Sequence, residues 1–236
     1  MSDSNTEDSS LNIEIENYEI LQEENIYETN LNFKVIVIGE AGVGKSSLSK
    51  RAIKNIFEDT YNATIGFDFF SFFLKINDKI IQLQIWDTCG QEMYRCLITQ
   101  YYKNASLAII VYSINNRNSF DNIDFWLKEI RKYSNPEVKV FVIRNKIDLK
   151  NERKIDKEEA ELYCKKNKIY LFFESSAKIG INTQEIFIEA SKILYKDYLK
   201  YQNYKTKKQN EVVTFPSKND DMSQFNHNPH QHNSCC

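Results

Sequence analysis

The chain has 236 residues, of which 42% are hydrophobic, and this is enough for one well-buried core but short for two. Its formal net charge is −2 at pH 7, and no tract of Lys and Arg is dense enough to indicate a nucleic-acid-binding protein. The longest apolar runs, such as Leu107 to Tyr112, are far too short to span a bilayer, which argues against a transmembrane protein.

The first thirty residues are strongly acidic. They contain nine Asp and Glu side chains, from Asp3 to Glu28, and no Lys or Arg, so they lack the basic start and apolar middle of a secretory signal peptide. This composition predicts a disordered acidic arm over residues 1–30. The remaining residues carry 31 basic against 24 acidic side chains and are therefore moderately basic.

A glycine-rich loop follows directly after Phe33 to Ile38, an apolar run typical of a buried strand. The loop matches the phosphate-binding P-loop, and the positions assigned to it are Gly39, Glu40, Ala41, Gly42, Val43, Gly44, Lys45, Ser46 and Ser47. Its backbone N–H groups can surround a phosphate, and the next helix, from Lys45 to about Ile56, directs the positive end of its dipole there. The Lys45 ammonium suits the β and γ phosphates, and the Ser46 hydroxyl suits a Mg²⁺ ion. A glycine turn that ends in Lys-Ser by chance is the competing explanation, which the flanking strand and helix disfavour.

A second motif follows a predicted antiparallel hairpin, whose strands are Phe67 to Ile76 and Ile80 to Trp86. It begins where the second strand ends and reads Asp87-Thr88-Cys89-Gly90-Gln91-Glu92. Asp87 can help hold Mg²⁺, Gly90 offers a backbone N–H to a γ-phosphate, and Gln91 stands beside the position of an attacking water. A capping Asp before a turn Gly would also explain the pattern, but its place after a strand favours the phosphate role.

The chain up to Tyr198 then alternates apolar strands with amphipathic helices. The predicted strands are Leu107 to Tyr112, Val138 to Ile143 and Tyr170 to Phe173, and the predicted helices are Asn118 to about Lys132, Asp156 to about Lys168 and Thr183 to about Tyr198. We therefore predict an α/β domain over residues 31–198, with six mostly parallel strands and five helices. Residues 199–236 have too few large apolar side chains for a core, which predicts a flexible tail.

Two polar segments follow the last two strands of this pattern. Asn145-Lys146-Ile147-Asp148 has the form NKxD, in which the Asp148 carboxylate can accept hydrogen bonds from guanine N1–H and the exocyclic amine. A chance match is the alternative in a chain rich in Asn and Lys, and the position after a strand disfavours it. After the last strand, Ser176, Ala177 and Lys178 could contact the base, through the Ala177 N–H and the stem of Lys178.

In this order, the motifs resemble those of the small GTPases, and among them the Rab family, over residues 31–198. The resemblance implies a P-loop NTPase small G domain that binds GTP or GDP with Mg²⁺. It also implies that Thr64 contacts Mg²⁺ and the γ-phosphate, and that Phe57 packs against the base. Hydrolysis is then expected to be slow without an activating protein, with Gln91, Lys45 and Thr64 as the catalytic residues.

Further segments carry the Rab resemblance and its consequences for partners. They are Ile65-Gly66-Phe67-Asp68-Phe69, Leu83-Gln84-Ile85-Trp86-Asp87, Tyr101-Tyr102-Lys103-Asn104-Ala105 and the terminal Cys235-Cys236. By that resemblance, Phe69, Trp86 and Tyr101 form an aromatic patch that effectors bind. The resemblance also implies that both terminal cysteines carry prenyl chains, and two such chains are enough for stable membrane anchoring. The single cysteines Cys89, Cys96 and Cys164 are typical of a reducing compartment.

The sequence thus predicts a monomeric switch of vesicle traffic on the cytoplasmic face of an intracellular membrane, with a cytosolic pool. Its expected partners are an exchange factor, an activating protein, effectors, and the chaperones of prenylation and membrane extraction, with no nucleic acid. A nucleotide-binding scaffold with little hydrolysis is the alternative, because Cys89, Met93 and Arg144 depart from the family pattern. In particular, Arg144 replaces the usual Gly before NKxD and is expected beside the base. A P-loop metabolic kinase would leave NKxD and Cys-Cys unexplained.

Overall fold

The computed structural model of the chain describes residues 14–60, 64, 66–89 and 101–211. Its centre is a seven-stranded sheet with the strand order β1-β3-β4-β2-β5-β6-β7. The strands are β1 (Tyr18–Leu21), β2 (Leu31–Ile38), β3 (Phe67–Ile76), β4 (Lys79–Thr88), β5 (Leu107–Ser113), β6 (Lys139–Asn145) and β7 (Leu171–Glu174). The α/β class of the prediction is confirmed, whereas the number of six strands is wrong by one.

The central strands are apolar on both faces because helices cover both sides of the sheet. Every residue of β5 is buried, as are Val35 to Ile38 at the end of β2. Parallel pairing joins β2 with β4 and β5, β5 with β6, and β6 with β7, and antiparallel pairing joins β3 with β4 and β1 with β3. The carboxyl ends of the parallel strands therefore meet at one edge, where open α/β sheets bind their ligands.

The α-helices with described bounds are α1 (Lys45–Lys54), α2 (Arg117–Asp121), α3 (Ile123–Tyr133), α4 (Lys157–Lys166) and α5 (Thr183–Glu211). The predicted single helix from Asn118 to Lys132 is divided at Asn122, which caps α2 and precedes α3. Short 3-10 helices cover Glu23–Asn25 and Lys150–Glu152. Among the described residues, we find no helix with the length and apolar composition needed to cross a membrane.

The N-terminal prediction of a disordered arm over residues 1–30 is wrong for β1. Tyr18–Leu21 pairs with the edge of β3, where Tyr18 lies opposite Ile76 and Leu21 opposite Phe73. The Lys192 ammonium also lies 4.4 Å from the centre of the Tyr18 ring. Backbone pairing to an existing strand thus orders a segment whose own composition is acidic.

The C-terminal prediction also needs correction. The chain divides into a compact unit that ends at Tyr198 and a second part that begins at Leu199. In the second part, helix α5 continues to Glu211, where a flexible tail was predicted. Tyr201 with Lys205 and Tyr204 with Lys208 form cation–π pairs at i,i+4 spacing, which stabilise a helix without a core.

Candidate functional site

The loop between β2 and α1 holds the predicted phosphate cradle. Gly39, Gly42 and Gly44 adopt φ angles of 139°, 75° and 94°, a backbone conformation that glycine adopts without steric cost. The buried Lys45 ammonium donates hydrogen bonds to the carbonyls of Gly39 (2.9 Å) and Glu40 (2.8 Å). Burial lowers the pKa of Lys45 to about 8, although the nearby Asp87 and Glu40 charges oppose this shift. These two hydrogen bonds therefore fix the Lys45 ammonium against the backbone at the start of the loop.

Three oxygen-bearing side chains of the predicted metal site lie together. The Ser46 and Thr64 hydroxyl oxygens are 2.8 Å apart. Asp87 is fully buried at the end of β4, close to Ser46 and Lys45, and neither of its carboxylate oxygens accepts a hydrogen bond of standard distance and angle from the described residues. Burial raises the pKa of Asp87 to about 6, and Ser46 and Lys45 offset only part of this effect.

This donor set fits a hard divalent cation. Hydroxyl and carboxylate oxygens are the ligands that Mg²⁺ prefers, and a buried carboxylate without a partner is costly unless a cation neutralises it. The residues that would hold Mg²⁺ are Ser46, Thr64 and Asp87, as the sequence predicts. Their assignment as ligands stays a prediction.

Asn145 joins the phosphate loop to the two predicted guanine loops. Its amide nitrogen donates to the Val43 carbonyl (2.9 Å), and its amide oxygen accepts from the Ala177 N–H (3.3 Å). Beside it, the Lys146 ammonium donates to the Gly42 carbonyl at 2.6 Å. These bonds place the segments after β2, β6 and β7 around one centre, although more than a hundred residues of the chain separate the first segment from the second.

The predicted guanine acceptor is fixed by the neighbouring loop. The Ser176 hydroxyl donates to one oxygen of the Asp148 carboxylate. The Ala177 N–H, predicted to donate to guanine O6, donates in this structure to Asn145. The Lys178 ammonium lies 3.3 Å from Asp59, and both side chains are exposed.

These segments enclose a cavity of about 300 Å³. Its lining includes the predicted residues Ala41, Gly42, Gly44, Lys45, Ser46, Ser47, Phe57, Thr64, Asn145, Lys146, Asp148, Ala177 and Lys178. The sequence analysis did not predict the remaining lining residues, which are Lys50, Ile56, Glu58, Asp59, Thr60, Thr88 and Leu149. Their closeness in the chain to the predicted residues was the signal that could have identified them. The predictions for Gly90 and Gln91 lie outside the described residues.

Comparison with known proteins identifies the family. The Ras family model matches residues 34–196, which is more than half of the chain. The Ras-related proteins RABF2a of Arabidopsis thaliana and RHN1 of Nicotiana plumbaginifolia are each 42% identical over 165 residues, which cover 70% of this chain and 82% of the relative. Ras-related protein Rab-5A of Dictyostelium discoideum is 40% identical over 164 residues, which cover 70% of this chain and 81% of that protein. The chain is a Rab-family small GTPase.

Membership of the family defines the chemistry at this site in general terms. Small GTPases bind GTP or GDP with Mg²⁺ and hydrolyse GTP, and many of the residues predicted for this chemistry line the cavity of this GTPase. The predicted phosphate loop, the predicted oxygen donors for a cation and the predicted base-recognition segments meet at the carboxyl edge of the sheet.

The predicted aromatic patch forms on the surface of the GTPase. The Trp86 ring lies 5.4 Å from Phe69 and 5.5 Å from Tyr101, measured between ring centres. Phe67, which the sequence analysis did not assign to this patch, also packs against Trp86 (5.1 Å) and Tyr101 (4.9 Å). We call these four residues the aromatic cluster. Phe67 and Phe69 remain 40% and 47% exposed, so much of the cluster surface is open to solvent.

The expected position of Arg144 beside the base is wrong. Successive side chains of a strand point to opposite faces, so Arg144 and Asn145 at the end of β6 point away from each other. Asn145 points to the nucleotide loops, whereas Arg144 is fully buried and forms an ion pair with Glu174 of β7. The alternation of β6 was the signal in the sequence that could have placed it.

Proposed function

We propose that this GTPase is a membrane-anchored GTP/GDP switch that regulates intracellular vesicle traffic by recruiting effectors. The observation that carries the switch is the 2.8 Å contact between Ser46 of the phosphate loop and Thr64. It brings Thr64 to the phosphate loop, which supports a response of this residue to the bound nucleotide. The Rab names of the relatives support the role in traffic.

The proposed reaction is hydrolysis of GTP to GDP and phosphate. Lys45 binds the β and γ phosphates through a donor that its two carbonyl contacts leave available, because an ammonium has three. Gln91 orients the attacking water. Mg²⁺, when bound, neutralises negative charge on the phosphates. No arginine among the described residues lines the cavity, which supports slow hydrolysis until an activating protein supplies further charge.

Effectors are proposed to bind the aromatic cluster together with the segments that contain Thr64 and Gln91, which GTP and Mg²⁺ are proposed to order. Exposed aromatic side chains are typical of binding hot spots, because they bury large area at low cost in conformational entropy. Three of the cluster residues belong to β3 and β4, and Asp87 of the predicted metal site directly follows Trp86 in β4. A change at the metal site is thus adjacent to the surface that effectors would contact.

We further propose an exchange factor, an activating protein and the chaperones of prenylation and membrane extraction as partners of a monomeric GTPase.

The change Gln91→Leu tests the switch against the scaffold alternative. We expect it to preserve GTP binding and to abolish most of the stimulated hydrolysis, by about 10³-fold or more, because it removes the group that orients water. Single-turnover hydrolysis with and without an activating protein measures this. Gln22→Leu, at an exposed position, is the matched control. Equal stimulated rates in Gln91→Leu and wild type would favour the scaffold.

The double change Cys235→Ser with Cys236→Ser tests the anchor. We propose residues 31–198 as the GTPase domain and residues 199–236 as the segment that links it to two prenyl chains. Each buried CH₂ of such a chain contributes about 0.8 kcal/mol, so two chains give durable attachment. The variant should move from the membrane fraction to the cytosol and retain GDP. The control replaces Asn233 and Ser234 by Ala. Unmodified cysteines in membrane-bound protein, detected by intact mass, would contradict the anchor.

A further inference from the structure

Arg144 and Glu174 form an ion pair at the end of the sheet. They are paired across β6 and β7, at the last rung before each strand ends. Arg144 is fully buried, whereas the Glu174 side chain is 26% exposed. One oxygen of Glu174 contacts the Arg144 guanidinium, and the other lies 3.3 Å from the exposed ammonium of Lys157 on α4.

Burial of the charged Arg144 side chain in this pair costs free energy, because the charge loses its contact with water. Nε and Nη1 of Arg144 have no hydrogen-bond partner among the described residues. Burial alone would raise the pKa of Glu174, but Arg144 and Lys157 hold it below its ordinary value, so the carboxylate stays charged. Apolar residues often replace buried ion pairs without loss of stability. Stability therefore gives little reason for an arginine at this position.

The two residues directly precede the two loops of the base site. Arg144 is followed by Asn145 to Asp148, and Glu174 is followed by Ser175 to Lys178. Backbone bonds continue the contact beyond the ion pair, from Ser175 N–H to the Arg144 carbonyl (2.8 Å) and from Ile147 N–H to the Ser175 carbonyl (3.2 Å). The hydroxyl of Ser176 then donates to Asp148, the predicted guanine acceptor. The ion pair is thus the first of a series of bonds that ends at the base site.

We propose that Arg144 and Glu174 are positioning residues that hold the two guanine-binding loops together and thereby limit nucleotide release. The inference rests on the proposed assignment of Asp148 as the guanine acceptor. Loss of the pair removes the charged contact between the β6 and β7 ends and leaves the weaker backbone and loop bonds to hold them, so Asp148 and Ser176 separate more often. Each such opening frees the base.

The test measures release of fluorescent GDP and IDP from the full chain. IDP lacks the exocyclic amine, so it makes one bond fewer with Asp148. In Arg144→Met we expect GDP to dissociate roughly tenfold faster, with a smaller increase for IDP, because a displaced Asp148 loses its advantage with guanine. Lys157→Gln is the control, since it removes only the exposed contact of Glu174, and its rates should stay within about twofold of wild type.

The unfolding midpoint of each variant is measured in parallel. If Arg144→Met does not fold, the double change Arg144→Met with Glu174→Gln replaces it, because it leaves no unpaired charge. Unchanged GDP release from a folded variant would overturn the proposal. Equal acceleration of GDP and IDP release would also overturn it, since it would show general loosening of the fold. A wild-type chain that fails to discriminate GDP from IDP at all would instead contradict the proposed assignment of Asp148.

Discussion

Replacing Asp148 by Asn is expected to reverse the base preference of this GTPase from guanine to xanthine nucleotides. The carboxylate can accept from both N1–H and the exocyclic amine of guanine, whereas an amide offers one acceptor and one donor. Xanthine carries a carbonyl where guanine carries that amine, so it complements the amide. A site that leaves a buried polar group unpaired can discriminate by about 10⁴-fold or more, and the preference should change on this scale. The Ser176 hydroxyl, which now donates to Asp148, can donate to the amide oxygen and keep the loop in place.

Competition of GDP, XDP and ADP for the purified chain measures this change. The control is Asp78→Asn, an exposed position in the turn between β3 and β4, which should leave all three affinities unchanged. If wild-type protein binds ADP as tightly as GDP, the interpretation of Asn145 to Asp148 as a guanine site is wrong.

Gly39→Ala should strongly destabilise the fold. A Cβ at this position would stand 2.2 Å from the backbone carbonyl oxygen of Val111 on β5, and Gly39 has a φ of 139°. The oxygen belongs to a fully buried strand and cannot move aside, so the strands would have to separate. We expect a loss of about 4 kcal/mol or more, out of a total stability of about 5–15 kcal/mol.

Urea unfolding at a fixed GDP concentration tests this expectation, since bound ligand itself contributes to stability. The matched control is Gly66→Ala. Gly66 also has a positive φ of 80°, but no heavy atom lies within 4 Å of a Cβ built there. It should cost only the backbone strain of about 1–2 kcal/mol. Similar losses in the two variants would show that contact with Val111 is not the cause.

Much of the site was predictable because its signals are local. A glycine that must adopt a positive φ, such as Gly44, stands in the sequence next to the lysine that it positions. Polar residues that directly follow apolar strands, such as Asp87 and Asn145, reach the same edge of a parallel sheet without any knowledge of the loops between them. The fold class followed from the same alternation of strands and helices.

The features that the sequence analysis missed depend on partners that are distant in the chain, or on side-chain pairs that stabilise a helix outside the hydrophobic core. Nothing within Tyr18–Leu21 indicates that β3 offers an unpaired edge, so an acidic composition was taken to mean disorder. The extension of α5 to Glu211 needs pairs such as Tyr201 with Lys205, which a search for core residues overlooks. Arg144 was placed beside the base by its neighbours in the chain, although its partner, Glu174, lies thirty residues away.

The short strand β1 determines how much of the sheet border remains accessible to other chains. It pairs with Phe73–Ile76, and the stretch Phe67–Phe72 of β3 has no strand on that side among the described residues. An unpaired border is a template for a strand from another molecule. Here such a strand could pair along Phe67–Phe72, which includes two residues of the aromatic cluster, as far as Phe73, where Leu21 is already paired. Removal of residues 1–21 would expose the whole length of β3, so a shortened chain is expected to self-associate more readily than the intact one.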